Sequence, residues 1–265
     1  MNRREFLGMS MVASSMALVF PFAHAQNLSI NEAINKSGRQ RMLSQRIGKA
    51  YLQIGQGIDL RRSEQIFTDS LNLFELQLSE LTTFAPSVEN KATLLEVGKS
   101  WRRYKDVLQD RAPNKTDAQA VMLLSDEVLA LTQTATVQLE KISGTTSARL
   151  VNLSGRQRML SQRMAKLYQS MSWEVPTSDV LQKLVTARTE FMRAMQELVA
   201  APVNTEAIKR ELDLADQQWF FFDQALKNRV TDQNDRLRAA TNVATTSERI
   251  LETMNRITGM YEKLT

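Results

Sequence analysis

Apolar residues recur along this chain at intervals of three and four positions, the spacing that places side chains on one face of an α-helix. Glycine and proline, which interrupt helices, are scarce, with 9 and 5 copies in 265 residues. Between these interruptions the pattern predicts eight helices, at about residues 29–54, 60–84, 89–111, 116–142, 146–173, 178–200, 205–228 and 231–263. We therefore expect an all-α fold.

The second half of the pattern repeats the first. The string SGRQRMLSQR occurs at residues 37–46 and again at residues 154–163, in the first and fifth predicted helices. A repeat of this length indicates that one domain was duplicated. We predict two tandem four-helix up-down bundles related by a pseudo-twofold axis. The first is expected at residues 26–143 and the second at residues 144–265.

Each copy of the repeated helix carries two stripes of residues. The first stripe is apolar and is expected to pack in its own bundle; it comprises Leu43, Ile47, Ala50 and Ile54, and in the second copy Leu160, Met164, Leu167 and Met171. The second stripe, here called the seam, has heptad spacing; it comprises Ile34, Gly38, Arg41, Gln45, Gly48 and Leu52, and in the second copy Val151, Gly155, Arg158, Gln162, Ala165 and Gln169. Its small residues would allow the two helices to approach closely.

Arg41 and Arg158 would then face each other across the seam. Two guanidinium groups in such a position repel each other and are costly to desolvate unless a negative charge lies between them. Neither copy of the string contains an acidic residue, so an external anion is the expected partner. Arg46 and Arg163 lie on a neighbouring face, where they could border the seam or pair with carboxylates of other helices. The alternative is a solvated, arginine-rich surface.

The connection between the two bundles decides whether these arginines meet. A turn at Gly144, followed by Thr145 and Thr146, would send the fifth helix back alongside the first and parallel to it. If the fourth helix instead ran straight into the fifth, the bundles would stack end to end, and the pairing would fail within one chain. The glycine favours the turn.

The first 25 residues have the pattern of an export signal. Arg3 and Arg4 precede Phe6 and an apolar stretch, and a small-residue cleavage site ends at Ala25. The paired arginines indicate twin-arginine export; an ordinary secretory signal that carries two arginines is the alternative. We expect the mature protein in the periplasm, soluble after cleavage near Ala25, and we expect no later membrane span.

Composition excludes several classes of function. The chain has 34 Lys and Arg against 29 Asp and Glu, a net charge of +5. This charge is too small for a typical nucleic-acid-binding protein. The chain has no Cys, and its one histidine, His24, lies in the expected signal. Thiolate and imidazole ligands, bases and nucleophiles are therefore missing from the mature chain. Composition leaves open carboxylate-only chemistry and a Ser-Lys pair, but the sequence has no motif for either. We expect no metal, no cofactor and no enzymatic activity.

The two repeated segments resemble a known sensory motif. Residues 33–46, AINKSGRQRMLSQR, and residues 151–163, VNLSGRQRMLSQR, resemble the P-box of NarX-type nitrate/nitrite sensor kinases. They resemble more closely the N-terminal domain of PilJ-type methyl-accepting chemotaxis transducers. The resemblance implies periplasmic four-helix sensory domains. In the nitrate sensors, such domains dimerise through the first helix and hold nitrate between paired arginines.

Position by position, the resemblance implies a set of ligand-binding residues. They are Arg41, Arg158, Arg46, Arg163, Gly38, Gly155 and Lys36. The second repeat has Leu153 where the first has Lys36, which implies an asymmetric site. The pairs Arg39-Gln40 and Arg156-Gln157 follow the chemotaxis-type pattern, from which the identity of the anion does not follow.

Together these observations predict an exported sensory module. It would bind a small oxyanion, nitrate or nitrite first, between Arg41 and Arg158. A membrane receptor, kinase or transporter would read the change, and a homodimer is compatible with the resemblance. The alternative is a non-enzymatic helical scaffold whose arginines contact an acidic partner or anionic lipid.

Overall fold

The computed structural model describes residues 28–109, 112–175, 178–227 and 233–264, and within them the chain is almost entirely helical, with no strand. The eight helices are α1 (Ile30–Gln56), α2 (Leu60–Phe84), α3 (Val88–Gln109), α4 (Lys115–Ser143), α5 (Thr146–Ser172), α6 (Val180–Val199), α7 (Glu206–Lys227) and α8 (Gln233–Glu262). The all-α prediction is confirmed, and the helix ends differ from those expected by one or two residues at most. The expected export signal lies outside the described residues.

Polar caps and glycines determine where the helices begin and end. Ser29 Oγ accepts a hydrogen bond from the backbone N–H of Glu32 at 3.2 Å, and the Glu32 carboxylate accepts one from Ser29 N–H at 2.7 Å. This reciprocal pair is a capping box at the start of α1. Gly57 after α1 and Gly144 after α4 are left-handed, with φ of 71° and 65°, a conformation that glycine adopts without a steric penalty. Thr145 then caps α5.

Within each repeat the helices alternate in direction. Gln40 of α1 donates to the carbonyl of Phe74 on α2 at 3.1 Å, and Gln45 donates to the carbonyl of Ser125 on α4 at 2.9 Å. The equivalent glutamines of α5 make the same bonds to α6 and α8. Phe74 stacks on Trp101 of α3 with ring centroids 3.9 Å apart, and the second repeat has the equivalent stack at 4.4 Å. The structure therefore has two bundles of the predicted up-down kind.

Helices α1 and α5 lie side by side and run in the same direction. Near their starts, Asn31 donates to Ser147 at 3.4 Å; near their ends, Gln56 donates to the carbonyl of Gln169 at 3.2 Å. The predicted turn at Gly144 is thus confirmed, and the end-to-end alternative is wrong. Helices α4 and α8 flank this pair, each contacting both α1 and α5. We call α1, α4, α5 and α8 the inner bundle.

Helix α4 corrects the expectation that no later segment could cross a membrane. Its most apolar 18-residue window has a mean hydropathy of 1.2, which passes the length and composition test for a span. In the structure 44% of that window is buried, and Val121, Val128 and Ala135 lie in the core. The helix is apolar because it contacts α1, α3 and α5, which requires a wide apolar face. One such helix is weak evidence for a span.

Gly144→Ala is expected to destabilise the fold by about 1–2 kcal/mol, because an L side chain is strained in the left-handed conformation. Gly98→Ala is the matched control. Gly98 lies inside α3, and a Cβ there would have no atom within 4 Å, so alanine should stabilise by about 0.5–1 kcal/mol. Urea unfolding of the two variants and the wild type measures both changes. Equal stability of Gly144→Ala and wild type would contradict the turn.

Candidate anion-binding site

Arg41 of α1 and Arg158 of α5 lie against each other at the centre of the seam. Both side chains are fully buried, with 0% of their surface exposed. A Cβ built on Gly38 would lie 3.1 Å from Arg41 Nη2 and 3.5 Å from Arg158 Nη2, and a Cβ on Gly155 would lie at the same two distances with the arginines exchanged. Both guanidinium groups therefore reach the same small volume. Glycine at both positions leaves room for them.

Each guanidinium donates to neutral acceptors on both repeats. Arg41 Nη2 donates to the carbonyl oxygen of Asn152 on α5, and Arg158 Nη2 donates to the carbonyl oxygen of Asn35 on α1, both at 3.2 Å. The Nη1 groups donate to the side-chain oxygens of Gln133 on α4, at 2.5 Å, and of the equivalent residue on α8, at 3.0 Å. The geometry follows the pseudo-twofold axis, and none of these acceptors carries a charge.

Both Nε–H groups of the arginine pair are buried without a hydrogen-bond partner. In the described part of the chain, no carboxylate lies within ion-pair distance of Arg41 or Arg158. Glu140 and Glu262, the acidic groups whose charges act on the pair, instead accept hydrogen bonds from the side-chain amides of Asn152 and Asn35. Two adjacent cations are thus desolvated, and each keeps one hydrogen-bond donor without an acceptor. This is unfavourable without a counterion.

The electrostatics of the arginine pair reflect this unfavourable environment. Burial and, to a smaller extent, the charge of Arg156 lower the pKa of Arg41 to about 9, and Glu140 opposes the shift. Burial also lowers the pKa of Arg158 well below its usual value, assisted by the charges of Arg39 and Arg41. In both cases the protonated form is the one that the surroundings disfavour. An anion between the two groups would reverse that preference.

Two reciprocal ion-pair clusters, further along α1 and α5 than the arginine pair, hold the repeats together. In one cluster Lys49 and Arg46 of α1 both bind the carboxylate of Glu248 on α8. In the other, Lys166 of α5 binds Asp126 of α4 at 2.8 Å, and Arg163 of α5 lies 3.8 Å from the same carboxylate. Each cluster joins helices of different repeats. The clusters fix how α1 and α5 sit on the inner bundle.

The charges in these clusters depend strongly on each other. Burial opposes ionisation of Glu248, but Lys49 and Arg46 lower the pKa of its carboxyl to about 2. Burial lowers the pKa of Lys49 to about 8, while Glu248 acts in the opposite direction. Both groups are therefore charged at neutral pH, and the pair is buried. Loss of either partner would leave an uncompensated buried charge.

The structure brings together four of the residues that the resemblance implied. Gly38, Arg41, Gly155 and Arg158 meet in the seam, so the alternative of a solvated surface is wrong for these two arginines. The other three are engaged elsewhere. Lys36 binds Glu80 of α2 at 2.9 Å, while Arg46 and Arg163 belong to the ion-pair clusters.

Sequence reasoning missed the two ion-pair clusters and the acceptors of the arginine pair. Lys49 and Lys166 stand at equivalent places in the two repeats, and this match was a usable signal. Their partners, Asp126 and Glu248, lie on the helices flanking the seam and come from the opposite repeat. The backbone carbonyls that accept from the guanidinium groups left no signal in the residue pattern.

The geometry defines a duplicated helical domain whose two copies share one buried cationic site. Comparison with known families agrees with this description. The family model of the PilJ N-terminal domain of type IV pili methyl-accepting chemotaxis transducers matches residues 22–135 and again residues 143–246. The chain therefore belongs to this family of transducer sensory domains and contains two copies in tandem. The match is to the chemotaxis transducers. No curated protein and no solved structure shows significant similarity to the chain.

The Glu248→Gln variant is expected to lose less stability than the wild type as the pH is lowered. The pKa of the Glu248 carboxyl is about 2 in the folded state, against a usual value of 4.5. Between pH 4.5 and pH 2 the folded state therefore binds fewer protons than the unfolded state. The stabilisation is present above pH 4.5 and is lost as pH falls towards 2. Over the whole window it amounts to about 3 kcal/mol. Urea unfolding at pH 6, 4 and 3 measures the slope. The exposed Glu96→Gln should keep the wild-type slope, and an equal slope for Glu248→Gln would contradict the buried cluster.

Replacing both arginines by methionine is expected to keep or raise stability when no oxyanion is present. Exchange of buried charges for apolar side chains of similar volume is neutral or stabilising by about 1–4 kcal/mol. Urea unfolding of Arg41→Met/Arg158→Met in buffer that contains only chloride tests this. Arg103→Met, at an exposed arginine paired with Glu127, is the control. A loss of more than about 2 kcal/mol would show that the two charges are already well compensated.

Proposed function

We propose that this protein is an exported sensory module that binds one small oxyanion between Arg41 and Arg158. The observation that carries the proposal is the pair of fully buried, adjacent guanidinium groups whose Nε–H groups have no partner. A buried donor without an acceptor costs about 1–3 kcal/mol. Two such donors on adjacent cations, placed symmetrically, are explained by a ligand that accepts from both.

The chemistry of guanidinium favours a planar oxyanion. Its donors form a rigid, planar fork that matches planar oxygen acceptors, and charged hydrogen bonds are roughly twice as strong as neutral ones. Nitrate and nitrite are the first candidates, because the resemblance to the nitrate-sensor P-box points to them. Two charge-assisted contacts in a largely dry seam would support a micromolar dissociation constant, on the order of −8 kcal/mol.

Anion binding would change the packing of the inner bundle. An anion between Arg41 and Arg158 removes their mutual repulsion, so it favours the arrangement in which α1 and α5 are closest. The ion-pair clusters at Glu248 and Asp126 then carry the change to α8 and α4. In this proposal the tandem repeat is a single-chain counterpart of a sensor dimer. A membrane receptor, kinase or transporter reads the change.

The scaffold alternative has the arginines contact an acidic partner or anionic lipid, which Arg41 and Arg158 cannot do because they are fully buried. A scaffold would therefore need a different surface. Phe220 and Phe221 on α7 are 58% and 64% exposed and contact each other edge to face. Adjacent exposed aromatic residues favour contact with another protein. A scaffold would keep this contact whether or not an anion is bound. It would also show no response to small anions.

Calorimetric titration with nitrate and nitrite tests the proposal. We expect saturable binding of about one anion per chain, within the micromolar range, and loss of binding in Arg41→Met/Arg158→Met. Chloride and sulfate are the anion controls. Arg103→Met is the variant control, because it removes a cation from an exposed pair with Glu127 and leaves the seam unchanged.

Two outcomes would count against the proposed site. Saturation at half an anion per chain would move the site to an interface between two chains. If nitrate and nitrite produce neither heat of binding nor thermal stabilisation, the oxyanion site is contradicted and the scaffold function is favoured.

A further inference from the structure

The two repeats carry equivalent clefts beside their ion-pair clusters. One lies between α1, α2 and α8 and is lined by Lys49, Ile66 and Glu248. The other lies between α4, α5 and α6 and is lined by Asp126 and Lys183. Lys183 stands in α6 where Ile66 stands in α2, and Asp126 stands in α4 where Glu248 stands in α8. The pseudo-twofold axis therefore relates the two clefts.

The clefts differ sharply in volume and chemistry. The first is almost filled, with a free volume of about 10 Å³, and the second holds about 220 Å³. Ile66 is buried in the first, whereas the equivalent Lys183 in the second is partly exposed. Duplication followed by divergence has thus produced an open cleft in only one of these two places, which we call the α6 cleft.

The α6 cleft combines an apolar wall with an unpaired cation. Met122 of α4, Leu167 of α5 and Val180 of α6 line it. Asp126 is already bound to Lys166 at 2.8 Å and so is not free for a cationic ligand. Lys183 has no carboxylate within ion-pair distance among the described residues, although its charge is felt by Asp126.

The charge balance of the α6 cleft decides what could occupy it. One carboxylate, Asp126, faces the two cations of its cluster and Lys183 as well. The excess is positive, so an anionic ligand would be attracted and a cationic ligand repelled. A ligand with two negative charges would be repelled more strongly by the carboxylate of Asp126. The apolar wall requires a carbon body, and a dry apolar cavity of roughly 150 Å³ is known to hold a benzene ring.

We propose that the α6 cleft binds a small organic monoanion with an apolar body, such as an aromatic or short-chain carboxylate. The carboxylate binds Lys183, and the body packs on Met122, Leu167 and Val180. This site is separate from the arginine pair and does not depend on it. The chain then has two anion sites of different chemistry, one polar and symmetric, the other amphipathic and present in one repeat.

Calorimetric titration of the full chain with benzoate and hexanoate tests this proposal. Benzamide and hexylamine, which are neutral and cationic, are the matched probes. We expect saturable binding of the two acids at one per chain and at least about tenfold weaker binding in Lys183→Ile, since a charged hydrogen bond is lost. Isoleucine is the residue that the first repeat has in this place, so this variant should fold. Lys99→Ile, at an exposed lysine of α3, should bind as the wild type.

Two further variants distinguish binding in the α6 cleft from binding elsewhere on the chain. Val180→Phe should fill the cleft and abolish binding of both acids without affecting any response to nitrate. Arg41→Met/Arg158→Met should bind benzoate as the wild type does, so failure of the proposed oxyanion site would leave this result unchanged. Equal binding of benzoate and benzamide, or full affinity in Lys183→Ile, would overturn the proposal. So would an absence of saturable binding by both acids.

Discussion

The burial of two like charges against each other is the constraint on which the rest of this structure depends. Arg41 and Arg158 occupy the centre of the seam between parallel helices, and glycines at equivalent places make room for them. Neutral carbonyl and amide oxygens from both repeats accept four of their hydrogen bonds, which is insufficient to compensate two desolvated cations. The reciprocal ion pairs of Lys49 with Glu248 and of Lys166 with Asp126 hold the helices in place despite this repulsion. In the function proposed above, an anion supplies the compensation that these acceptors do not.

Duplication within one chain makes a symmetric site possible and also allows it to diverge. The arginines, their glycines and the ion-pair clusters obey the pseudo-twofold axis closely. Other equivalent positions do not, as shown by Ile66 and Lys183, and by Arg102-Arg103 in α3 where α7 has Phe220-Phe221. A dimer of identical subunits could not change one copy alone. The tandem arrangement explains how one repeat acquires an open cleft and an exposed aromatic pair while the shared site remains unchanged.

Much of the fold could be predicted because local signals are strong. Glycines, prolines and apolar spacing place the ends of the eight helices within one or two residues, and the small residues of the seam predict the contact between α1 and α5. The roles of Arg46, Arg163 and Lys36 could not be assigned, because their partners Glu248, Asp126 and Glu80 come from other helices far along the chain. Helix α4 passes the composition test for a membrane span because a helix with several packing partners can be as apolar as a span. Contacts between residues far apart along the chain leave no periodic pattern in the sequence.

The most direct test of the central claim is to observe the two unpartnered Nε–H groups themselves. A ¹⁵N–¹H correlation spectrum of the arginine side chains should show two slowly exchanging signals that are missing from Arg41→Met/Arg158→Met. We predict that both signals shift together and saturably as nitrate or nitrite is added, because one anion accepts from both groups. If neither signal moves with either anion while the fold stays intact, the arginine pair is not an oxyanion site.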